Sequence, residues 1–142
     1  MKSYFDTSVL VKLYIPEEDS GETCALIQKR GKSIIINSLQ ETELKNAFTL
    51  KAFRGDISQE ELDKLLDKIN KDFSMNRLKR VNVDWIKLWE MARDYSLKYT
   101  KKIGCRTLDI LHVAAARIMN AEEFVTNDDR QKELAQIIGI KV

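Results

Sequence analysis

Four short runs rich in β-branched and aromatic residues, KSYFD, SIIIN, LKRVNV and EEFVT, are separated by stretches whose apolar residues recur at helical spacing. Strands joined by helix-length connections pair in parallel through right-handed crossovers rather than as hairpins. That alternation restricts the chain to an α/β class with a central, mainly parallel sheet of four to five strands and helices on both faces. At 142 residues, one domain spanning 1–142 is expected. A chain of this size buries roughly 68 to 70% of its unfolded surface, enough for a substantial core.

The punctuation between the runs is specific. Asp6 closes the first strand and leads into a helix over about Val9 to Tyr14. After Pro16 a helix is expected from Glu17 to Arg30, stopped by Gly31. Ser38 and Glu41 have the spacing of a capping box opening a helix that runs to about Arg54, and Ser58 and Glu61 repeat it after the Gly55-Asp56 turn. The second of these helices carries Leu62, Leu65, Leu66, Ile69 and Phe73 on one stripe, so the two form a helical hairpin. Asp84 reads as the N-cap of a helix whose apolar face is Trp85, Leu88, Trp89 and Ala92, with both indoles packed in the core. LDILHVAAARIM is apolar on nearly every side and must be buried, EEFVT follows, and a last helix starts near Arg130 and stops at Gly139.

Composition removes several classes. Apolar residues at 44%, charged residues at 32% and a single proline exclude disordered, collagenous and disulfide-scaffold chains. Cys24 and Cys105 lack CxxC spacing, which argues against zinc and for a reduced, cytoplasmic chain. Asp6 interrupts the N-terminal apolar stretch too early for a secretory signal, and no stretch reaches the ~18 apolar residues of a membrane span. Net charge is 24 − 22 = +2, too small to indicate nucleic-acid binding by itself. Basic residues nevertheless gather over 64–80 and 93–106, and residues 17–22 are mostly acidic. Charge runs of this kind are ordinarily solvated helix faces.

Four carboxylates occupy positions that cost free energy unless something positive meets them. Asp6 ends the first strand, Glu43 lies one turn into the helix after the second, Asp109 opens the buried apolar helix, and Asp128 follows FVT. Each has an ordinary reading: Asp6 and Asp128 as caps or turn acids, Glu43 as a surface residue, Asp109 as a first-turn acid favoured by the helix dipole. In an open parallel sheet, however, sites form at the C-terminal ends of strands. Four carboxylates gathered there would repel one another without a divalent cation, and oxygen donors without Cys or paired His suit Mg²⁺ or Mn²⁺.

YFDTSVLVKLY, NSLQETELKNAF, RTLDILHVAAA and FVTNDD, in this order and spacing and spanning nearly the whole chain, resemble the PIN-domain nucleases, specifically the VapC-like ribonuclease toxins of toxin-antitoxin pairs. The resemblance implies a PIN-like three-layer α/β/α sandwich. It places the acidic quartet, catalytic and metal-binding, on Asp6, Glu43, Asp109 and Asp128, with hydroxyl positions at Ser8 and Thr126. Asp129 is a second acid beside Asp128, and the T-x-D pattern selects Asp128. One or two Mg²⁺ or Mn²⁺ per site would support hydrolysis of RNA phosphodiesters, leaving a 5′-phosphate and a 3′-hydroxyl. In this reading Asp6 and Asp109 bind metal directly, Glu43 orients or deprotonates water, and Asp128 holds a second metal or its water. The basic segments would bind the RNA backbone.

The resemblance also implies a homodimer and a separate small antitoxin, both using the helical pair from Ser38 to Phe73. His112, one turn after Asp109, is read as a packed core residue, and Cys105 as a plain thiol. A single histidine cannot supply the acid-base pair of a ribonuclease acting through the 2′-hydroxyl. Three other readings are weighed. A phosphatase with an aspartate nucleophile wants DxD, and position 8 is Ser. A non-catalytic PIN-like module would lack an acid, and all four are here. The same chemistry could serve RNA processing or act on structured DNA.

Overall fold

The computed structural model describes residues 2–15, 21 and 33–142. The helix expected over 17–30, the Gly31 stop, the acidic 17–22 stretch and Cys24 fall, Gly21 apart, outside the described residues. In chain order the elements are β1 (Ser3–Phe5), α1 (Thr7–Tyr14), β2 (Ile34–Ile36), α2 (Ser38–Phe53), α3 (Gln59–Ser74), β3 (Leu78–Arg80), α4 (Trp85–Ile103), α5 (Thr107–Ile118), β4 (Glu123–Val125) and α6 (Asp129–Ile137). The α/β alternation expected from the sequence is what the chain adopts, and every strand pairing is parallel. Instead of one hydrogen-bonded sheet of four to five strands, the described strands form two parallel pairs, β1 with β4 and β2 with β3. Each pair belongs to one of two compact units, Met1–Asp6 with Asn82–Val142, and Thr7–Val81.

In the first unit β1 and β4 run in register, Ser3 opposite Glu123, Tyr4 opposite Phe124 and Phe5 opposite Val125. Tyr4 and Phe124 stack at 5.3 Å between ring centroids, and both are buried. The α5 helix, with Ile110 to Ala116 all buried, packs on α4 and α6. It ends at Ile118, and two residues on Asn120, with a left-handed φ of 56°, reverses the chain so that the Ala121 amide donates to the Ala116 carbonyl.

The α4 helix departs from the sequence reading. Leu88 and Ala92 are buried, but Trp85 and Trp89 are 36% and 48% exposed. The expectation that both indoles pack in the core is therefore corrected. The α4 helix packs on the alanine-rich α5 and on α6 with Leu88 and the small Ala92 as its buried residues, and close helix packing through small residues leaves bulky indoles at the edge.

In the second unit α1, α2 and α3 bury Leu10, Tyr14, Leu44, Phe48, Leu62 and Ile69, with Tyr14 and Phe48 edge-on at 5.7 Å. The Tyr14 hydroxyl donates to Asp72 at 2.6 Å, and burial together with that carboxylate raises its pKa beyond the usual tyrosine range. The α2 cap is also corrected. Asn37 is the N-cap, accepting from the Gln40 amide while Gln40 Oε1 accepts from the Asn37 amide, so Ser38 is the first helical residue. Asn caps at least as well as Ser, and here it is followed three residues later by a glutamine that completes the box. The expected Ser58–Glu61 box and Asp84 cap are both formed.

Candidate active site

The parallel register of β1 and β4 sets the geometry at their C-terminal ends. With Phe5 opposite Val125, the next residues, Asp6 and Thr126, emerge side by side, and the Asp6 amide donates to the Val125 carbonyl at 3.0 Å. Asp6 is only 8% exposed. Its Oδ1 accepts from Gln131 Nε2 at 3.3 Å and lies 4.0 Å from His112 Nε2, while Thr126 Oγ1 is 3.5 Å from Oδ2. A buried carboxylate is costly unless donors or a cation meet it.

Asp128 follows two residues after Thr126. Its amide donates to Thr126 Oγ1 at 3.1 Å, and its Oδ1 caps α6 by accepting from the Gln131 amide at 2.9 Å. The cap engages one carboxylate oxygen of a half-buried residue. Asp129 points elsewhere: its side chain is 98% exposed and reaches Lys132 at 4.0 Å.

Asp109 sits in the first turn of α5, and its Oδ2 reaches back to the Arg106 amide at 3.2 Å. Arginine has no acceptor to complete a box, so the aspartate supplies the only side-chain cap. Cys105, buried just before α5, has its Sγ 3.7 Å from the Arg130 carbonyl. Burial pushes its thiol up from the ordinary range, and the carboxylates of Asp109, Asp128 and Glu133 push it further against the opposing charge of Arg130. One thiol thus feels both expected site acids.

Glu43 and Ser8 belong to the second unit. Glu43, half-buried on the first turns of α2, accepts from Thr7 Oγ1 at 3.3 Å, and Ser8 is exposed on the first turn of α1. The first unit thus joins Asp6, Thr126 and Asp128 through hydrogen bonds, while Asp109 is held separately at the start of α5.

Two residues escaped the sequence reading. Thr7 lay between the two positions singled out, Asp6 and Ser8. Gln131 carried a signal, an N3 glutamine after an Asp N-cap, but that pattern reads as a capping box. In the structure its side chain turns inward to Asp6 and Thr126. His112 is 2% exposed with Nδ1 at 2.8 Å from the Tyr4 hydroxyl, the packed residue the sequence suggested.

The donor set fits a hard divalent cation. Asp6, Asp109 and Asp128 offer oxygen only, and two of them use a single oxygen for capping. Among the described residues no three His, Cys, Asp or Glu side chains are gathered as a ready-made cage. Mg²⁺ does not ask for one, since it keeps several waters and takes one or two carboxylates together with substrate phosphates.

The PIN domain family model matches residues 3–137. No curated protein matches the chain significantly. Among solved structures, the chain is similar to FitAcB from Neisseria gonorrhoeae, with 14% identity, a TM-score of 0.71, and coverage of 99% of this chain and 95% of that one. It is also similar to VapC20 of Mycobacterium tuberculosis, a toxin that cleaves the sarcin-ricin loop, with 14% identity, a TM-score of 0.63, and coverage of 99% and 98%.

Proposed function

This chain belongs to the PIN domain family, a family of nucleases, and on that premise we propose that it is a Mg²⁺- or Mn²⁺-dependent endoribonuclease, the VapC-like toxin of a toxin-antitoxin pair acting in the cytoplasm. The observation that carries the reading is Asp6, buried at the end of β1 and held beside Thr126 and Asp128 by the β1–β4 register. The family model crosses both compact units, which supports reading 1–142 as one domain. A similar fold in a toxin that cleaves the sarcin-ricin loop supports RNA as the substrate class.

In this reading Asp6 and Asp109 hold the cation, with Asp128 at its side. One or two divalent ions would lower the pKa of water and neutralise charge building on the scissile phosphate. Glu43, fixed by Thr7, orients the attacking water or takes its proton. Thr126 and Ser8 orient ligands and phosphate, and Asp129 stays a neighbour of the corner rather than a member. The water oxygen bonds to phosphorus as the P–O3′ bond breaks, leaving a 5′-phosphate and a 3′-hydroxyl. His112 is buried with Nδ1 bonded to Tyr4 and is the single histidine, so the chain lacks the acid-base pair of a 2′-hydroxyl mechanism.

Exposed Lys101, Lys102 and Arg106, at the α4–α5 junction just before Asp109, are the cations we assign to the RNA backbone. Arg106 Nε lies 3.8 Å from Asp109 Oδ2, while Arg77 and Arg80 are engaged with Asp72 and Glu41. On α2, Phe53 is 86% exposed and Leu50 38%, apolar surface for a homodimer or for the separate small antitoxin.

Cleavage of a panel of structured RNAs and single-stranded DNA, with product ends mapped, tests this reading. Mg²⁺-dependent RNA cuts bearing 5′-phosphates, absent in folded Asp6→Asn and Asp109→Asn, are expected. Cleavage of DNA alone would move the activity to another substrate. Equal cleavage by all three proteins, or none by the wild type, would overturn it.

A further inference from the structure

Gln131, like Thr126, has bonds that reach both Asp6 and Asp128, and it alone of the two bonds both of their carboxylates, each at 3.3 Å or less. It is 1% exposed. Its side-chain Nε2 donates to Asp6 Oδ1 at 3.3 Å, its Oε1 accepts from Thr126 Oγ1 at 2.6 Å, and its amide donates to Asp128 Oδ1 at 2.9 Å. The Thr126 hydroxyl has a single proton, and the 2.6 Å contact to Gln131 takes it in preference to the 3.5 Å contact to Asp6. Thr126 also accepts from the Asp128 amide at 3.1 Å, so Gln131, Thr126 and Asp128 close a ring of hydrogen bonds to which Asp6 is joined through Gln131 Nε2.

Only an amide side chain fits this place. It must donate to a carboxylate with one atom and accept from a hydroxyl with the other. The reversed amide would set an oxygen against Asp6. A glutamate would add a like charge beside a buried carboxylate, and an aliphatic residue would take one hydrogen bond from each of Asp6 and Thr126. An N3 glutamine used only for capping would reach the N-cap amide, as Gln40 reaches Asn37. Gln131 spends its side chain on the site acid instead.

We infer that Gln131 is a positioning residue for the cation site: its side chain orients Asp6 while its backbone holds Asp128, fixing the two carboxylates relative to each other. The inference rests on the nuclease reading above. Groups that orient metal ligands typically change metal affinity or activity by about 10- to 100-fold when removed.

The test compares wild type, Asp6→Asn and Gln131→Met by calorimetric Mn²⁺ titration, thermal unfolding, and kcat and KM on a cleaved RNA. Gln131→Met is expected to unfold cooperatively, to bind Mn²⁺ at least about 10-fold more weakly, and to lose kcat with KM for RNA unchanged. A purely structural role would lower the melting temperature and leave Mn²⁺ affinity and kcat of the folded fraction at wild-type values, overturning the inference. So would wild-type behaviour throughout, provided Asp6→Asn has lost Mn²⁺ binding and cleavage. If the wild type neither binds Mn²⁺ nor cleaves, the nuclease reading falls and the inference falls with it. Should Gln131→Met not fold, Gln131→Glu keeps the acceptor toward Thr126 while removing the donor to Asp6. Loss of kcat is then expected, and wild-type kcat would overturn the inference.

Discussion

The Tyr4 hydroxyl and His112 Nδ1 lie 2.8 Å apart across 108 residues of sequence, both side chains buried, tying β1 to α5 behind Asp6. Tyr4→Phe removes a partner from a buried imidazole and keeps the ring that stacks on Phe124. Urea unfolding should show a loss of about 1 to 3 kcal/mol, with the slope against denaturant unchanged. A neutral substitution would mean that the imidazole satisfies itself elsewhere.

Arg80 grips Glu41 with two nitrogens at 2.7 and 3.2 Å, and that hydrogen bond holds the Glu41 carboxyl below the ordinary range. A lowered folded-state pKa contributes stability that is fully present above the unfolded value, about 4.3 for glutamate, and is lost as pH falls through the lowered one. Unfolding at neutral pH and at pH 3 should therefore show a smaller acid loss for Glu41→Gln than for wild type. Identical acid losses in the two proteins would remove this pair from the account.

The Cys105 thiol should alkylate slowly at pH 8 in a Cys24→Ser background, because burial and the neighbouring carboxylates disfavour the thiolate. Asp109→Asn and Asp128→Asn should each speed the reaction by removing a negative charge. Mg²⁺ should speed it in the wild type for the same reason, and without effect in Asp6→Asn if that variant has lost the cation. Rates indifferent to both substitutions would place the carboxylates too far from the thiol to matter.

On α4, Leu88→Ala should cost about 2 to 5 kcal/mol, since Leu88 is fully buried. Trp89→Ala, at a residue 48% exposed, should cost less. Denaturant unfolding of the two variants checks the ranking, and the reverse order would restore the tryptophan to the core.

These contrasts mark what was legible in the sequence. The strands, the Ser58–Glu61 box, the Asp84 cap and the buried α5 were readable because each is decided by local chemistry, apolar period or a short-range hydrogen bond. Trp85 and Trp89 were misplaced because periodicity finds an apolar face without saying how closely the facing helix approaches. The Asn37 cap was passed over for Ser38, one residue away, because a box is recognised by type and spacing and both residues qualified. Asp6 and Asp128 were visible as acids at strand ends. Gln131 was not, because its role depends on a partner 125 residues distant that only the β1–β4 register brings alongside.

The most direct measurement of the central claim is the rate of RNA cleavage by folded wild type and Asp6→Asn, each with Mg²⁺ and again after chelation. The account predicts cleavage by the wild type with Mg²⁺, abolished by chelator and by the substitution alike. Cleavage that survives chelation, or that Asp6→Asn performs at the wild-type rate, would contradict it.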